Sequence, residues 1–155
     1  MNNNEVIKKF YTSFSDSNIK GMIECYHKEI VFIDPVFGKL KGERVIKMWE
    51  MLLAKKNKGN KISFSNIMAS SEKGEANWVA EYIYGEDKRK IVNKISANFK
   101  FKEGKIIEHT DYFNLWKWTK QAMGPAGYLL GWSYFMRKQI QEKAKIRLEE
   151  FIKKQ

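Results

Sequence analysis

Residues 90–102 read KIVNKISANFKFK and alternate without a break. Ile91, Asn93, Ile95, Ala97, Phe99 and Phe101 fall on one side of an extended chain; Lys94, Ser96, Asn98, Lys100 and Lys102 fall on the other. A side-chain period of two, with one largely apolar face and one lysine-rich face, predicts a half-buried antiparallel strand. Further strand candidates flank it on both sides. Residues 62–70 and 76–84 precede it and 105–116 follow, with Glu72-Lys73-Gly74, Gly85-Glu86-Asp87 and Glu103-Gly104 as hairpin turns between them.

Further upstream the period changes from two to that of a helix. Asn2, Asn3 and Asn4 offer N-caps to a helix carrying Val6, Ile7, Phe10, Tyr11 and Phe14 on one face. Ser15-Asp16-Ser17-Asn18 breaks it and caps a second, with Ile19, Met22, Ile23 and Tyr26 as its apolar side. A short strand over 30–33 stops at Asp34-Pro35. Gly38 and Gly42 bracket a loop, a third helix carries Val45, Ile46, Trp49, Leu52 and Leu53, and residues 54–61 form a polar linker. Beyond 116 come a Gly124-Pro125-Ala126-Gly127 turn and an aromatic cluster of Tyr128, Trp132, Tyr134 and Phe135. A basic helix over 133–152 then carries the stripe Met136, Ile140, Ala144, Leu148 and Phe151. Helices followed by a meander of long strands predict an α+β layer, helices on one face of a curved antiparallel sheet. The expected organisation is one domain over 1–116, with 117–155 as a helical extension packed on it.

A chain of 155 residues is long enough for one real core. Its 29 basic and 18 acidic residues give a net charge of +11, which raises the question of a nucleic-acid or anionic-membrane partner. The excess is concentrated in the tail, and nearly all of it is lysine, whereas base-reading prefers arginine forks. Solvated lysine faces are therefore the preferred reading, a membrane surface reached through the basic C-terminal helix comes second, and nucleic acid is argued against. Cys25, the one cysteine, permits no internal disulfide and sits in an apolar helical pattern, as a buried structural thiol would. The stretch MNNNEVIKKF has no apolar signal region and no run approaches the ~20 residues that span a bilayer, so a cytoplasmic location is expected. No GxGxxG, phosphate-cradling glycine loop or GxSxG elbow occurs, so no cofactor and no serine hydrolysis are expected. His27 stands on the second helix without HxxxH or CxxC spacing nearby, so no metal is expected either.

Two strings carry a family resemblance. IVFIDPVFG, residues 30–38, resembles the segment of ketosteroid isomerases that holds the catalytic aspartate, which matches Asp34. EGKIIEHTDYFN, residues 103–114, resembles the last strand of limonene epoxide hydrolase, whose general base matches Asp111. With the element order, over about residues 5–116, the chain resembles the SnoaL-like branch of the nuclear transport factor 2-like superfamily. That resemblance implies a cone-shaped α+β fold, an apolar pocket, and a homodimer through the outer face of the sheet. The tail with GYLLGW looks like an extension found in one bacterial subgroup. The chain also departs from the patterns of the families it resembles. Phe10 falls where the isomerases carry an oxyanion-binding tyrosine, with Tyr11 adjacent, and Ala97 falls where they carry a protonated acid. WVAEY, residues 78–82, lacks the Arg and second Asp of the hydrolase.

His109 and Asp111 share a strand face with Ile107, Phe113 and Leu115. A carboxylate in apolar surroundings has its pKa raised, which suits a general acid or base near neutrality, and two close carboxylates drive their roles apart. Asp34 before Pro35 is equally a strand-ending turn residue. Asp111 could be paired structurally with His109, and Trp49, Trp78 and Tyr82 could line a pocket or simply fill the core. Three functions compete. The first is a cofactor-free isomerase, cyclase or epoxide hydrolase acting on an apolar small molecule through Asp34, Asp111 and His109, with Trp49, Trp78, Tyr82 and Phe113 as substrate contacts. The second is a non-catalytic ligand-binding or association module. The third is a lipid-binding module anchored on a membrane by its tail.

Overall fold

The computed structural model describes residues 1–54, 60–130 and 133–155, with the side chains of 128–130 left aside. Most of the expected polar linker (55–59), and Tyr128 and Trp132 of the aromatic cluster, lie outside the described side chains. The elements run α1 (Asn3–Ser15), α2 (Ile19–Cys25), β1 (Tyr26–Asp34), β2 (Gly38–Lys41), α3 (Glu43–Ala54), β3 (Lys61–Ala69), β4 (Lys73–Tyr84), β5 (Arg89–Lys102), β6 (Lys105–Tyr112), α4 (Leu115–Met123), α5 (Pro125–Leu130) and α6 (Tyr134–Lys153).

One curved, unclosed sheet orders its strands β2-β1-β6-β5-β4-β3. Every neighbouring pair is antiparallel except β1 and β6. The alternation of residues 90–102 holds in β5, where Ile91, Asn93, Ile95, Ala97 and Phe99 are buried and the intervening residues exposed. The β5–β6 hairpin closes through Glu103 and Gly104, both at positive φ, the geometry of a tight two-residue turn.

Helix α1 begins with a reciprocal cap. Asn2 Oδ1 accepts the Glu5 amide at 2.9 Å and the Glu5 carboxylate accepts the Asn2 amide at 2.8 Å. Its Val6, Ile7, Phe10, Tyr11 and Phe14 are buried in the hollow of the sheet. Helix α3 adds Val45, Met48 and Trp49. Leu52, expected in the same stripe, lies in the last turn of α3 and is 43% exposed.

Several boundaries differ from the sequence reading. Tyr26 opens β1 instead of continuing α2, and residues 38–41 form an edge strand instead of a loop. The last strand ends at Tyr112, because Asn114 accepts the Lys117 amide at 3.1 Å and caps α4. The expected division at 116/117 therefore falls inside a helix. Gly124 ends α4 at φ 62°, and Pro125 starts α5 where a turn was expected. Helix α6 packs on α3: Met136, Ala144 and Leu148 are buried, Ile140 and Phe151 half-buried. An Arg44–Glu149 contact fastens the two helices, and Lys47 of α3 donates to Gln155 just past the end of α6.

Candidate functional site

The parallel pair of β1 and β6 builds the site. Its register sets Phe32 beside His109 and Ile33 beside Thr110, where the pairing ends; Asp34 and Asp111 are the next residue on each strand, and the charge of Asp111 reaches the Asp34 carboxyl. Phe32 and His109 both point into the core, with 1% and 0% exposure. Two residues further along each strand, Asp34 and Asp111 inherit that direction.

Asp34 is half-buried, and its Oδ1 accepts the backbone amides of Val36 at 3.0 Å and Phe37 at 2.6 Å. The turn role foreseen for it is thus real, and it does not exclude a second role. Burial pushes its carboxyl up to about 7. The Phe37 and Val36 amides pull the other way, while the negative charge of Asp111 adds to the rise.

Asp111 is 4% exposed and ends a chain of hydrogen bonds. The Trp49 indole can only donate, and it gives its N–H to the Tyr26 hydroxyl oxygen at 3.0 Å. Tyr26 then offers its own proton to Nδ1 of His109 at 2.8 Å. That leaves the ring proton on Nε2, donating to Oδ1 of Asp111 at 3.0 Å. The Trp78 indole donates to the same oxygen at 3.3 Å. One proton on the imidazole, at Nε2, satisfies every member of the chain; this tautomer follows from the donor count. Among the described residues Oδ2 of Asp111 takes no hydrogen bond.

Ile107, expected on the Asp111 face, yields to a bulge. The β5–β6 register slips between Lys100 and Phe101, so Ile106 faces inward at 0% exposure and Ile107 is only half-buried. His109 and Asp111 lie beyond the slip and keep their expected face.

The hollow itself is filled with rings. Phe10 packs edge-on to Tyr11, Trp49 and His109, and Phe14 packs against Trp49 and Trp78. Trp49 and Trp78 are 2% and 7% exposed, so both are core residues as well as hydrogen-bond donors to the site. Two concave regions among the described residues, of about 730 and 280 Å³, are lined by neither Asp34 nor Asp111. Tyr82 and Phe113, with Val36, form a layer shared between the main core and a smaller cluster of Ile91, Leu115, Trp118 and Ala122. Above that layer the extension is pinned down. The Trp118 indole donates to the Tyr82 hydroxyl at 2.7 Å, and the Gln141 amide to the Pro35 carbonyl at 3.0 Å.

The sequence reading missed Tyr26, Trp118 and Gln141. Tyr26 was out of reach of simple parity, because the register shifts between Tyr26 and Val31 and Lys28, of the same parity, is exposed. Tyr11 is the other addition. Its hydroxyl is buried and, among the described residues, has no partner; burial, then the charges of Asp111 and Tyr26, hold its proton on well above the usual phenol range.

The sheet order and the helices seated in its hollow are those of the nuclear transport factor 2-like class. Within that class the chain belongs to the SnoaL-like domain family, whose model matches residues 7–109. Similar solved structures include Bal32a from a soil-derived mobile gene cassette, with TM-score 0.68 and 17% identity over 77% of this chain and 95% of that one. A candidate polyketide cyclase from Pseudomonas putida is similar at TM-score 0.64 and 18% identity, covering 79% and 98%. TerC, co-crystallised with polyporic acid, is similar at TM-score 0.62 and 17% identity, covering 72% and 91%. At these identities the likeness is one of fold. No curated protein matches the chain.

Proposed function

We propose that this SnoaL-like chain binds an apolar small molecule beside Asp34 and Asp111 and moves a proton on it, without a cofactor, in a cyclisation or isomerisation. The observation that carries this reading is a pair of carboxyls just past the last register pair of neighbouring strands, near enough for the charge of Asp111 to act on Asp34, and unequal in environment. Asp111 is held by His109 and Trp78 through Oδ1, which leaves Oδ2 to take a proton from an acidified carbon of the substrate. Asp34, pushed up to about 7, holds a proton at neutral pH for part of the time and can return one to the product. Tyr82 and Phe113 supply the apolar wall on the extension side. Opening an epoxide, the remaining expectation, would use the same pair with Asp34 as the acid.

The packed rings of the hollow favour a second reading, a non-catalytic binding module. One experiment separates the two. The protein is crystallised as purified and inspected for ligand density at Oδ2 of Asp111, and the ligand found is then assayed with wild type and Asp111→Asn. Catalysis predicts a rate lower by about two to four orders of magnitude in the variant, with the fold intact. Unchanged turnover of that ligand, or no chemistry with affinity kept within a few-fold, replaces catalysis by the binding module.

A further inference from the structure

Helix α6 turns its apolar stripe inward, yet the extension leaves large apolar side chains outside. On α4, Trp116 is 37% and Met123 36% exposed. Lys117 and Lys120 accompany them on the same helix, and the Lys120 ammonium lies 4.2 Å from the centre of the Trp116 ring. The start of β5 comes up against this helix. Arg89 Nε donates to the Gln121 carbonyl at 2.6 Å, and the Val92 amide donates to Gln121 Oε1 at 2.7 Å, so the strand that follows the β4–β5 turn is tied to the helix and brings the turn beside it. Between them lies the concave region of about 730 Å³, lined by Lys88, Arg89, Lys90, Lys117 and Lys120 against a single carboxylate, Asp87. None of the ion pairs found among the described residues involves Lys88, Arg89, Lys90 or Lys117. The start of α6 repeats the combination, with exposed Tyr134 and Phe135 followed by exposed Arg137 and Lys138.

We propose that the outer face of α4 and the β4–β5 turn dock on the anionic face of a phospholipid bilayer. Charge complementarity carries the choice of occupant. Lysines held near a surface of lipid phosphates and carboxylates are attracted to it, and an indole settles at headgroup level. Met123 has a place in such an interface and none against a phosphodiester backbone. Four of the five cations are lysines, which act as point charges and do not read bases. The surface lies outside the Asp34–Asp111 pair, so the inference stands or falls independently of the proposed chemistry.

The test is co-sedimentation at low salt with phosphatidylcholine vesicles, pure or containing phosphatidylserine. The protein is expected to pellet only with the anionic vesicles and to be released at about 1 M salt, where the screening length falls to about 3 Å. Lys88→Gln and Lys117→Gln are each expected to weaken binding about fivefold. Trp116→Ser should weaken binding and diminish the blue shift of tryptophan emission on vesicle addition. All three positions are exposed, so the far-UV circular dichroism should not change. Lys20→Gln and Lys39→Gln, exposed on other elements, should leave binding as it was. Equal binding to pure phosphatidylcholine, no binding to anionic vesicles, or equal losses at Lys20 and Lys39 would overturn the docking surface. So would capture of a single-stranded oligonucleotide, weakened by Lys88→Gln and Trp116→Ser, while vesicles stay unbound.

Discussion

Tyr11 carries the sharpest tension in the core, a buried hydroxyl with no partner among the described residues. Such a group keeps its desolvation cost without a hydrogen bond to offset it. Tyr11→Phe removes the oxygen and keeps the ring contacts with Phe64, Trp78 and Phe99. The variant is expected to be as stable as wild type or more stable by about 1–2 kcal/mol in urea unfolding. A loss of stability would mean that the hydroxyl is hydrogen-bonded in solution. Asp34 makes a second prediction at this scale. Its folded pKa lies above its unfolded one, so between about pH 4 and about pH 7 the folded state binds more protons than the unfolded state. Stability from this residue is therefore present at acid pH and lost as pH rises through that window. Asp34→Asn keeps an oxygen for the Val36 and Phe37 amides and removes the ionisation. At pH 8 the variant should exceed wild type by roughly 1–3 kcal/mol, with the difference vanishing near pH 4. A difference that instead grows on acidification would contradict the burial argument. Because the charge of Asp111 contributes to the rise, Asp111→Asn should move the Asp34 titration downward, as followed by carboxyl NMR.

Elements were legible in proportion to the length of their periodic pattern. Residues 90–102 show the period of two over their whole span, and β5 follows it. The stripe of α6 is also long, and the helix buries Met136, Ala144 and Leu148 and half-buries Ile140 and Phe151. Short segments failed where a local bond outweighed the pattern: Asn114 turned the end of a presumed strand into a helix cap. Parity placed Asp111 on the face of His109, although the same parity misplaced Ile107, and the position of Asp34 came from the family resemblance. The chain from Trp49 through Tyr26 and His109 could not be read from the sequence, because it links α3, β1 and β6, and no local pattern records which indole reaches which hydroxyl. The docking of α6 gives this scale its prediction. Leu148 is 1% exposed in the main core, so Leu148→Ala should cost about 2–4 kcal/mol. For a chain of this size that corresponds to a fall in Tm of roughly 5–15 °C. A melting curve unchanged by this substitution would mean that α6 is not held on α3.

At the scale of the whole molecule, the extension packs with Ile91 and Tyr82 on the inward side of the sheet, and apolar side chains stay exposed on the other face. Val92 and Tyr112 alternate with inward residues and stand 36% and 59% exposed there. We propose this face as the homodimer surface that the family resemblance implies. Tyr112→Glu is expected to convert a dimer into a monomer in sedimentation velocity, and a monomeric wild type would remove the proposal. The single parallel pair in the sheet, β1 with β6, has a consequence in time as well as in space. The hairpins of β3 to β6 join neighbours in sequence and can zip locally, whereas β1 must wait for the whole meander before it finds its partner. Asp34 and Asp111 are strangers until that late closure. A chain emerging from the ribosome thus holds no paired carboxyls until β6 is out. Amide exchange at the β1–β6 seam should follow global opening of the molecule, while the tips of the hairpins exchange by local fraying.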